Sequence, residues 1–276
     1  MKVIVGHATV THLSRTLYLM AKEGAPAGWM QDWSAQGSGK NSRIGVLLVH
    51  GFTGAPPSMR PWGEFFHSKG YTVRIPLLPG HGTVPADLNK VKWQQWPEKV
   101  QFELDELLKT CDQVFICGLS MGGGTTLHIA QNNLDTLSGL ILVNPMIHVA
   151  FMPHPIASLI AKFQKIRPAV SGDIKRPGIS EYGYDALPMR GVAELLKMLK
   201  ITRKNLAKIT IPVQLFHSVE DHTLPVSNTE IIMAGIASTN KSRIELVNSY
   251  HVATLDYDQE LIFQNSLTFI EGLTSK

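Results

Sequence analysis

The chain has 276 residues, 44% of them apolar, a formal net charge of +4 and two cysteines. That length suits one α/β domain carrying an insertion. The mild charge, with no basic stripe interleaved with aromatics, argues against nucleic acid as a partner. Two cysteines do not make a disulfide framework, and no apolar run is long enough to span a bilayer.

The apolar stretch within Met1 to His7 is too short for a signal segment, so a cytoplasmic location is expected. Residues 1–41 read as an N-terminal arm or a first element that the pattern does not define, because Gly24 to Lys40 is rich in Gly, Ala and Ser. A regular alternation begins at Arg43. Ile44 to His50 is a continuous apolar run, as expected of a strand buried on both faces. Ser58 to Lys69 has helical spacing (Met59, Trp62, Phe65, Phe66) and ends at Gly70. Tyr71 to Pro76 reads as a short strand and Trp93 to Leu108 as a helix. Asp112 to Leu119 is a strand, Met121 to Gln131 a helix, and Gly139 to Asn144 a strand closed by Pro145. Both cysteines, Cys111 and Cys117, fall in or beside the strand that starts at Asp112 and are expected to be buried small apolar side chains.

From about Met146 to Lys208 the rhythm breaks, with Pro153, Pro155 and Pro168 inside short helical patterns. The alternation resumes with the strand Ile211 to His217, a helix from Ser227 to Ala237, the strand Ser242 to Val247 and a helix from Gln259 to Leu273. Strands alternating with helices imply a mostly parallel central sheet with helices on both faces. The expected organisation is a core of residues 42–147 and 209–276, with 148–208 as a cap insertion over the carboxyl edge of the sheet, where open α/β sheets keep their sites.

The most informative stretch is Gly118-Leu119-Ser120-Met121-Gly122, a G-x-S-x-G at the junction of a predicted strand and a predicted helix. Such an elbow forces the serine into a strained backbone conformation and pushes its hydroxyl out over the sheet edge. A nucleophilic serine needs a base, and the base needs a group that fixes its tautomer and stabilises its charged form. In this context the acid follows the serine in sequence and the histidine comes last. Asp221 and Glu220 lie just past the strand Ile211–His217, and His251 lies just past the strand Ser242–Val247, all at the carboxyl edge. His222 is too close to the acid to reach round it to the serine. His50 and His81 each precede a glycine at the head of a loop and read as structural or pocket-lining.

The oxyanion of an acyl-transfer reaction needs backbone N–H groups in place beforehand. Met121, at the N-terminus of the elbow helix, supplies one, where the helix dipole also favours negative charge. The loop His50-Gly51-Phe52-Thr53-Gly54 supplies the other, through the backbone of Phe52.

The set His50-Gly51-Phe52-Thr53-Gly54, Pro79-Gly80-His81-Gly82, Gly118-Leu119-Ser120-Met121-Gly122-Gly123, Asp221-His222-Thr223-Leu224-Pro225 and Ser249-Tyr250-His251 resembles the small carboxylesterases and monoacylglycerol lipases of the α/β-hydrolase superfamily. The resemblance runs from about Arg43 to the C-terminus and is weakest in the cap; the long N-terminal segment departs from the family's usual short start. It implies an α/β-hydrolase fold, a Ser120–His251–Asp221 triad and an oxyanion hole at Phe52 and Met121. In the family the acid is followed by a branched apolar residue and proline; Leu224-Pro225 fits this for Asp221 and decides between it and Glu220.

The expected reaction is two-step acyl transfer from a small-molecule ester or lipid to water, with short to medium acyl chains or monoacylglycerols as substrates and no metal or organic cofactor. The same triad also serves C–C bond hydrolysis and thioester hydrolysis, and a non-catalytic ligand receptor is the reading from another class. Met152, Ile156, Leu159, Ile160 and Phe163 share one helical face in the cap, read either as lining of an acyl pocket or as packing on the sheet. Residues 148–210 carry eleven Lys and Arg against four acids, a charge of about +7 where the rest of the chain is about −3. Such a cap fits either contact with an anionic lipid surface or a solvated helical face.

Overall fold

The computed structural model describes residues 25–149, 154–168 and 172–275. Among these residues seven strands form the main sheet: β1 (Trp33–Ala35), β2 (Ile44–Val49), β3 (Thr72–Ile75), β4 (Gln113–Leu119), β5 (Gly139–Val143), β8 (Val213–Ser218) and β9 (Lys241–Leu246), in the order β1-β3-β2-β4-β5-β8-β9. Every pairing is parallel except β1 with β3. Among the described residues, two further strands, β6 (Ile166–Pro168) and β7 (Ala186–Pro188), pair with each other, antiparallel.

The reason these runs are strands is legible in their packing. Side chains alternate between two faces, so Leu47, Val49, Val114, Ile116, Leu140 and Leu142 enter one apolar cluster. Their neighbours Val46, Leu48, Phe115, Cys117, Ile141 and Val143 enter another. Both faces are covered, which is why the runs show no polar alternation. Helices α3 (Gln95–Leu108), α4 (Met121–Ala130) and α7 (Ser227–Gly235) close the first face through residues such as Leu104, Leu127 and Ile232. Helices α1 (Arg60–Ser68) and α8 (Gln259–Thr274) close the second through Trp62, Phe66, Ile262 and Ile270. Each predicted core strand and helix is present to within two residues at either end.

The two cysteines lie in different clusters, Cys111 in the first and Cys117 in the second, both free and buried. Burial alone pushes the Cys117 thiol well above its ordinary range, so it stays protonated and packs as a small apolar group.

Part of the expected N-terminal arm is built into the sheet. Strand β1 covers the β3 edge, the Arg60 guanidinium sits 4.1 Å over the Trp33 ring, and Asp32 accepts hydrogen bonds from the Leu77 N–H and from Lys99 Nζ. Residues 1–24 of that segment lie outside the described residues.

Between β5 and β8 the chain forms α5 (His154–Phe163), β6, β7 and α6 (Met189–Lys204), and a four-residue helix, α2 (Pro85–Leu88), packs beside β7. This block is not uniform. Leu195, Met198 and Leu199 of α6 join the main core, whereas Met189, Val192, Ala193 and Leu196 form a small separate cluster with Ala157 of α5. The pattern of the sequence does not separate these two faces of α6. Among the described residues, no helix is long and apolar enough to cross a membrane.

Candidate active site

Register brings the site together. Val49 lies opposite Gly118, Leu119 opposite Val143, Val143 opposite Phe216 and Ser218 opposite Leu246. Parallel strands in this register end at one edge, so the loops after β2, β4, β5, β8 and β9 share that edge. Those loops carry Phe52, Ser120, Asn144, Asp221 and His251.

Ser120 has φ 55° and ψ −119°, a conformation that a non-glycine residue adopts only under constraint. The constraint is visible: the Ser120 N–H donates to the Val143 carbonyl at 3.0 Å, and the Ser120 carbonyl accepts from the Met146 N–H at 2.9 Å. The glycines at either side of the motif are steric requirements. A Cβ at Gly118 would lie 2.6 Å from the Gly122 backbone, and one at Gly122 would lie 2.0 Å from the Val49 carbonyl oxygen.

Of the two acids past β8, Asp221 meets the histidine. The His251 Nδ1–H donates to Asp221 Oδ2 at 2.7 Å. The other oxygen, Oδ1, accepts the N–H groups of Thr223 and Leu224 at 2.8 and 2.7 Å, which locks the carboxylate to its own turn. Glu220 faces outward and pairs with Lys175 at 2.6 Å. Burial works against charge on both partners of the His251–Asp221 pair, but their mutual hydrogen bond and attraction overcome it. The Asp221 carboxyl is held below its ordinary range and the His251 imidazole above it. With Nδ1 committed to Asp221, Nε2 is the ring nitrogen available for proton exchange.

A third residue braces these loops, and the sequence pattern did not single it out. Asn144 follows β5 with φ 42°. Its Nδ2 donates to Ser218 Oγ at 2.9 Å and to the His251 carbonyl at 2.8 Å, and its Oδ1 accepts from the Ser218 N–H at 2.7 Å. One buried amide therefore ties the elbow's neighbouring strand to the acid strand and the histidine loop. The available signal was an Asn between an apolar strand and a proline, a residue type that tolerates positive φ.

Met121 opens α4, and a first-turn N–H has no acceptor within its own helix. Phe52 stands on the loop after β2, followed by Thr53 at φ 63°. A Cβ on Gly51 would lie 3.3 Å from the Cβ of Ser120, so this loop runs directly against the serine. The Phe52 ring packs edge-on to His81 and Trp96. His50 and His81 are buried and neutral: desolvation depresses His50 to about 4 and holds His81 well below its ordinary value. His50 Nε2 accepts from the Leu78 N–H at 3.1 Å while its other nitrogen faces the Gly51 carbonyl at 2.9 Å, so the ring acts as a loop brace.

The expected apolar face in the cap is divided in its exposure. Ile156 and Leu159 are 50% and 56% exposed, and Phe163 is 86% exposed. Helix α5 buries Ala157 and packs Ile160, a member of the expected face, against the small cluster with α6, where Ala157 is small enough for close approach. Met152 lies outside the described residues. The side chains that bridge the core and the cap cluster are Phe52 and Val149, which touch both. Glu181, on the loop before β7, also reaches the site. It accepts from the Gly172 N–H at 3.0 Å, lies beside Gly54 and feels the charge of His251, and desolvation raises its carboxyl above the ordinary range. Apart from these, a surface groove of about 450 Å³ is lined by Lys90, Lys92, Lys162, Arg190 and Lys197 against Glu194.

A mostly parallel sheet whose central strand ends on a positive-φ serine has the architecture of an α/β hydrolase. The sequence profile of a family described as "Serine aminopeptidase, S33" matches residues 40–175. The chain is 38% identical over 232 residues to a thermostable monoacylglycerol lipase of Bacillus sp. (strain H-257), covering 83% of this chain and 91% of that protein. It is 26% identical over 233 residues to a carboxylesterase of Bacillus subtilis (strain 168), covering 83% and 92%. A solved structure from work on LipS and LipT, two metagenome-derived lipolytic enzymes, superposes with a TM-score of 0.84 at 36% identity, covering 89% of this chain and 98% of the other. The chain belongs to the α/β-hydrolase superfamily, in the branch of small carboxylesterases and monoacylglycerol lipases, and is a lipase/esterase-like hydrolase.

Proposed function

We propose that the protein hydrolyses carboxylic esters, short- to medium-chain esters or monoacylglycerols, through an acyl-enzyme on Ser120. The observation that carries this reading is the strained Ser120 at the sheet edge together with the His251–Asp221 hydrogen bond of 2.7 Å at the same edge. His251 Nε2 takes the Ser120 hydroxyl proton as Oγ attacks the ester carbonyl, and the backbone N–H groups of Phe52 and Met121 receive the oxyanion. The C–O bond to the alcohol then breaks, and the imidazolium returns its proton to the leaving oxygen. Water, deprotonated by the same nitrogen, cleaves the acyl-enzyme and releases the acid.

Substrate polarity follows from what flanks this machinery. The apolar bridge of Phe52 and Val149 toward Leu187 and Leu196 suits an acyl chain. Glu181, beside Gly54 and with its raised carboxyl, offers a hydrogen-bonding group suited to an alcohol that keeps free hydroxyls. The 38% identity to a monoacylglycerol lipase supports the same substrate class. The exposed row Ile156, Leu159 and Phe163, beside Lys162 and the basic groove, makes residues 148–208 a cap whose outer face suits peripheral contact with an anionic lipid surface. Two free, buried cysteines agree with a cytoplasmic location.

The test is a substrate panel: p-nitrophenyl esters from acetyl to dodecanoyl, then mono-, di- and triacylglycerols, for the wild type and Ser120→Ala. The expected result is turnover that peaks at medium chains, extends to monoacylglycerol and disappears in the variant. A folded wild type that hydrolyses none of them overturns the reading. Co-sedimentation with vesicles that is indifferent to anionic lipid removes the membrane contact.

A further inference from the structure

Residues 172–176 run across the two loops that carry Asp221 and His251, and the chemistry above leaves them without a role. Asp173 is the central member. Its Oδ2 accepts the backbone N–H of His222 at 3.1 Å and that of His251 at 3.2 Å. Its Oδ1 meets His222 Nδ1 at 2.9 Å, and its carbonyl accepts from the Val252 N–H at 3.0 Å. His222 is the residue directly after the acid, so one carboxylate oxygen holds the backbones of both triad loops. The two amides are thereby kept within about twice a hydrogen-bond length of each other.

We propose that Asp173 is a positioning residue for His251: its carboxylate registers the histidine loop against the acid loop from the cap side. The inference rests on Ser120, His251 and Asp221 acting as a triad. Asn144 supports the same loops from beneath, through the His251 carbonyl and Ser218, so the histidine backbone is held on its N–H by Asp173 and on its carbonyl by Asn144.

The segment has a second fastening that does not involve Asp173. Buried Asp256 accepts the N–H groups of Lys175, Arg176 and Tyr250 at 2.7, 3.0 and 2.9 Å. Lys175 also pairs with Glu220 and lies 5.3 Å from the centre of the Tyr250 ring. Removing the Asp173 carboxylate therefore leaves the segment tethered and isolates its effect on the triad loops. Its charge matters as well as its geometry. The acids facing His251 are Asp221, Glu181 and Asp173, and all three favour the imidazolium. His222 is faced by Asp173, Glu220 and Asp221, with the Tyr250 ring edge-on at 4.4 Å.

The experiment compares the wild type with Asp173→Asn and Asp173→Ala in the full chain, measuring kcat, KM, the pH profile and thermal stability on a soluble p-nitrophenyl ester. We expect Asp173→Ala to lower kcat on the order of tenfold to a hundredfold with little change in KM, the size of effect a small misplacement of a reacting group produces. Asp173→Asn keeps an oxygen for the two N–H groups and should recover part of kcat. Both should move the acid limb of kcat/KM to lower pH, because one negative charge facing the imidazolium is gone. An unmoved acid limb with wild-type kcat, or a loss confined to KM, overturns the proposal. So does a kcat loss that merely tracks falling thermal stability with the limb in place. If Asp173→Ala does not fold, the limb of Asp173→Asn decides. If the wild type hydrolyses no ester, the functional reading fails while this one stays testable. The rate at which a fluorophosphonate labels Ser120 should still be slower in Asp173→Asn, and equal rates overturn the positioning role.

Discussion

Around Ser120 and on the outside of the cap, the same polypeptide follows opposite rules. At the sheet edge Asn144 uses both ends of its amide, Asp221 both of its oxygens, and His50 both of its ring nitrogens. On α5, three large apolar side chains of one helix stand in solvent. A buried polar group without partners costs on the order of 1–3 kcal/mol, so the edge tolerates little change. Single exposed apolar side chains contribute little to stability, so the outer cap is free to vary with the surface it meets. The difference teaches that the strand ends hold the braced polar residues of the candidate site, whereas the outer face of α5 meets solvent.

The largest expected effects break the edge. His251→Gln and Asp221→Asn should each lower kcat on an ester by about 10⁴-fold, with thermal stability close to wild type, as stopped-flow or steady-state assays would show. A loss smaller than tenfold in either variant would mean that another residue serves as base or acid. Next is the brace: Asn144→Ala leaves Ser218 and the His251 carbonyl without their partner. It should cost roughly 2–3 kcal/mol in urea unfolding and lower kcat by about tenfold or more. Unchanged kcat would confine Asn144 to a role in folding.

The third expectation sharpens the contrast through pH. In the proposed reaction His251 acts as base only when neutral, and its imidazole is held above its ordinary value of about 6.5. Activity should therefore rise with pH along a limb centred above that value; a limb below it contradicts the electrostatics described for the site. Stability should move in another window. His50 is depressed to about 4 when folded, so the unfolded chain takes up the proton first. The stability this neutral ring contributes is complete above about pH 6.5 and is lost as pH falls from there toward 4. Urea midpoints measured across that range, with His50→Gln as the reference, would show it.

The smallest effect belongs to the outer cap. Phe163→Ser should change unfolding free energy by no more than about 0.5 kcal/mol and leave a soluble ester unaffected. Turnover of the same ester presented in anionic vesicles should fall severalfold. Equal loss on both presentations would place Phe163 within the substrate path.

How much of this was legible in the sequence divides along the same line. The strand runs, the elbow and the order of acid and histidine could be read because each rests on a simple rule: unbroken apolar runs buried on two faces, two glycines forced by contacts of 2.6 and 2.0 Å, and loops at the carboxyl edge. Asp221 was preferred over Glu220 only through the family resemblance carried by Leu224-Pro225, and the His251 hydrogen bond falls on Asp221. What stayed hidden depends on contacts far apart in the chain. The clamp of Asp173 on His222 and His251 spans 49 and 78 residues, and the reach of Asn144 to the His251 carbonyl spans 107. No periodicity carries such information. Which side of α5 packs on α6 was hidden for a related reason: Ala157, not a large residue, is what α6 admits at close range, with Ile160 beside it. The edge strand β1 escaped because three residues among glycines and serines carry no pattern, and pairing with β3 supplies the order.

The proposed acyl transfer requires Ser120 to be an activated nucleophile. The most direct measurement is intact-mass and peptide-mapping analysis after brief exposure to a fluorophosphonate, in the wild type, Ser120→Ala and His251→Gln. One adduct per chain on the peptide holding Ser120, absent in Ser120→Ala and strongly slowed in His251→Gln, is the expected result. A wild type that remains unlabelled while folded, or an adduct on another residue, would contradict it.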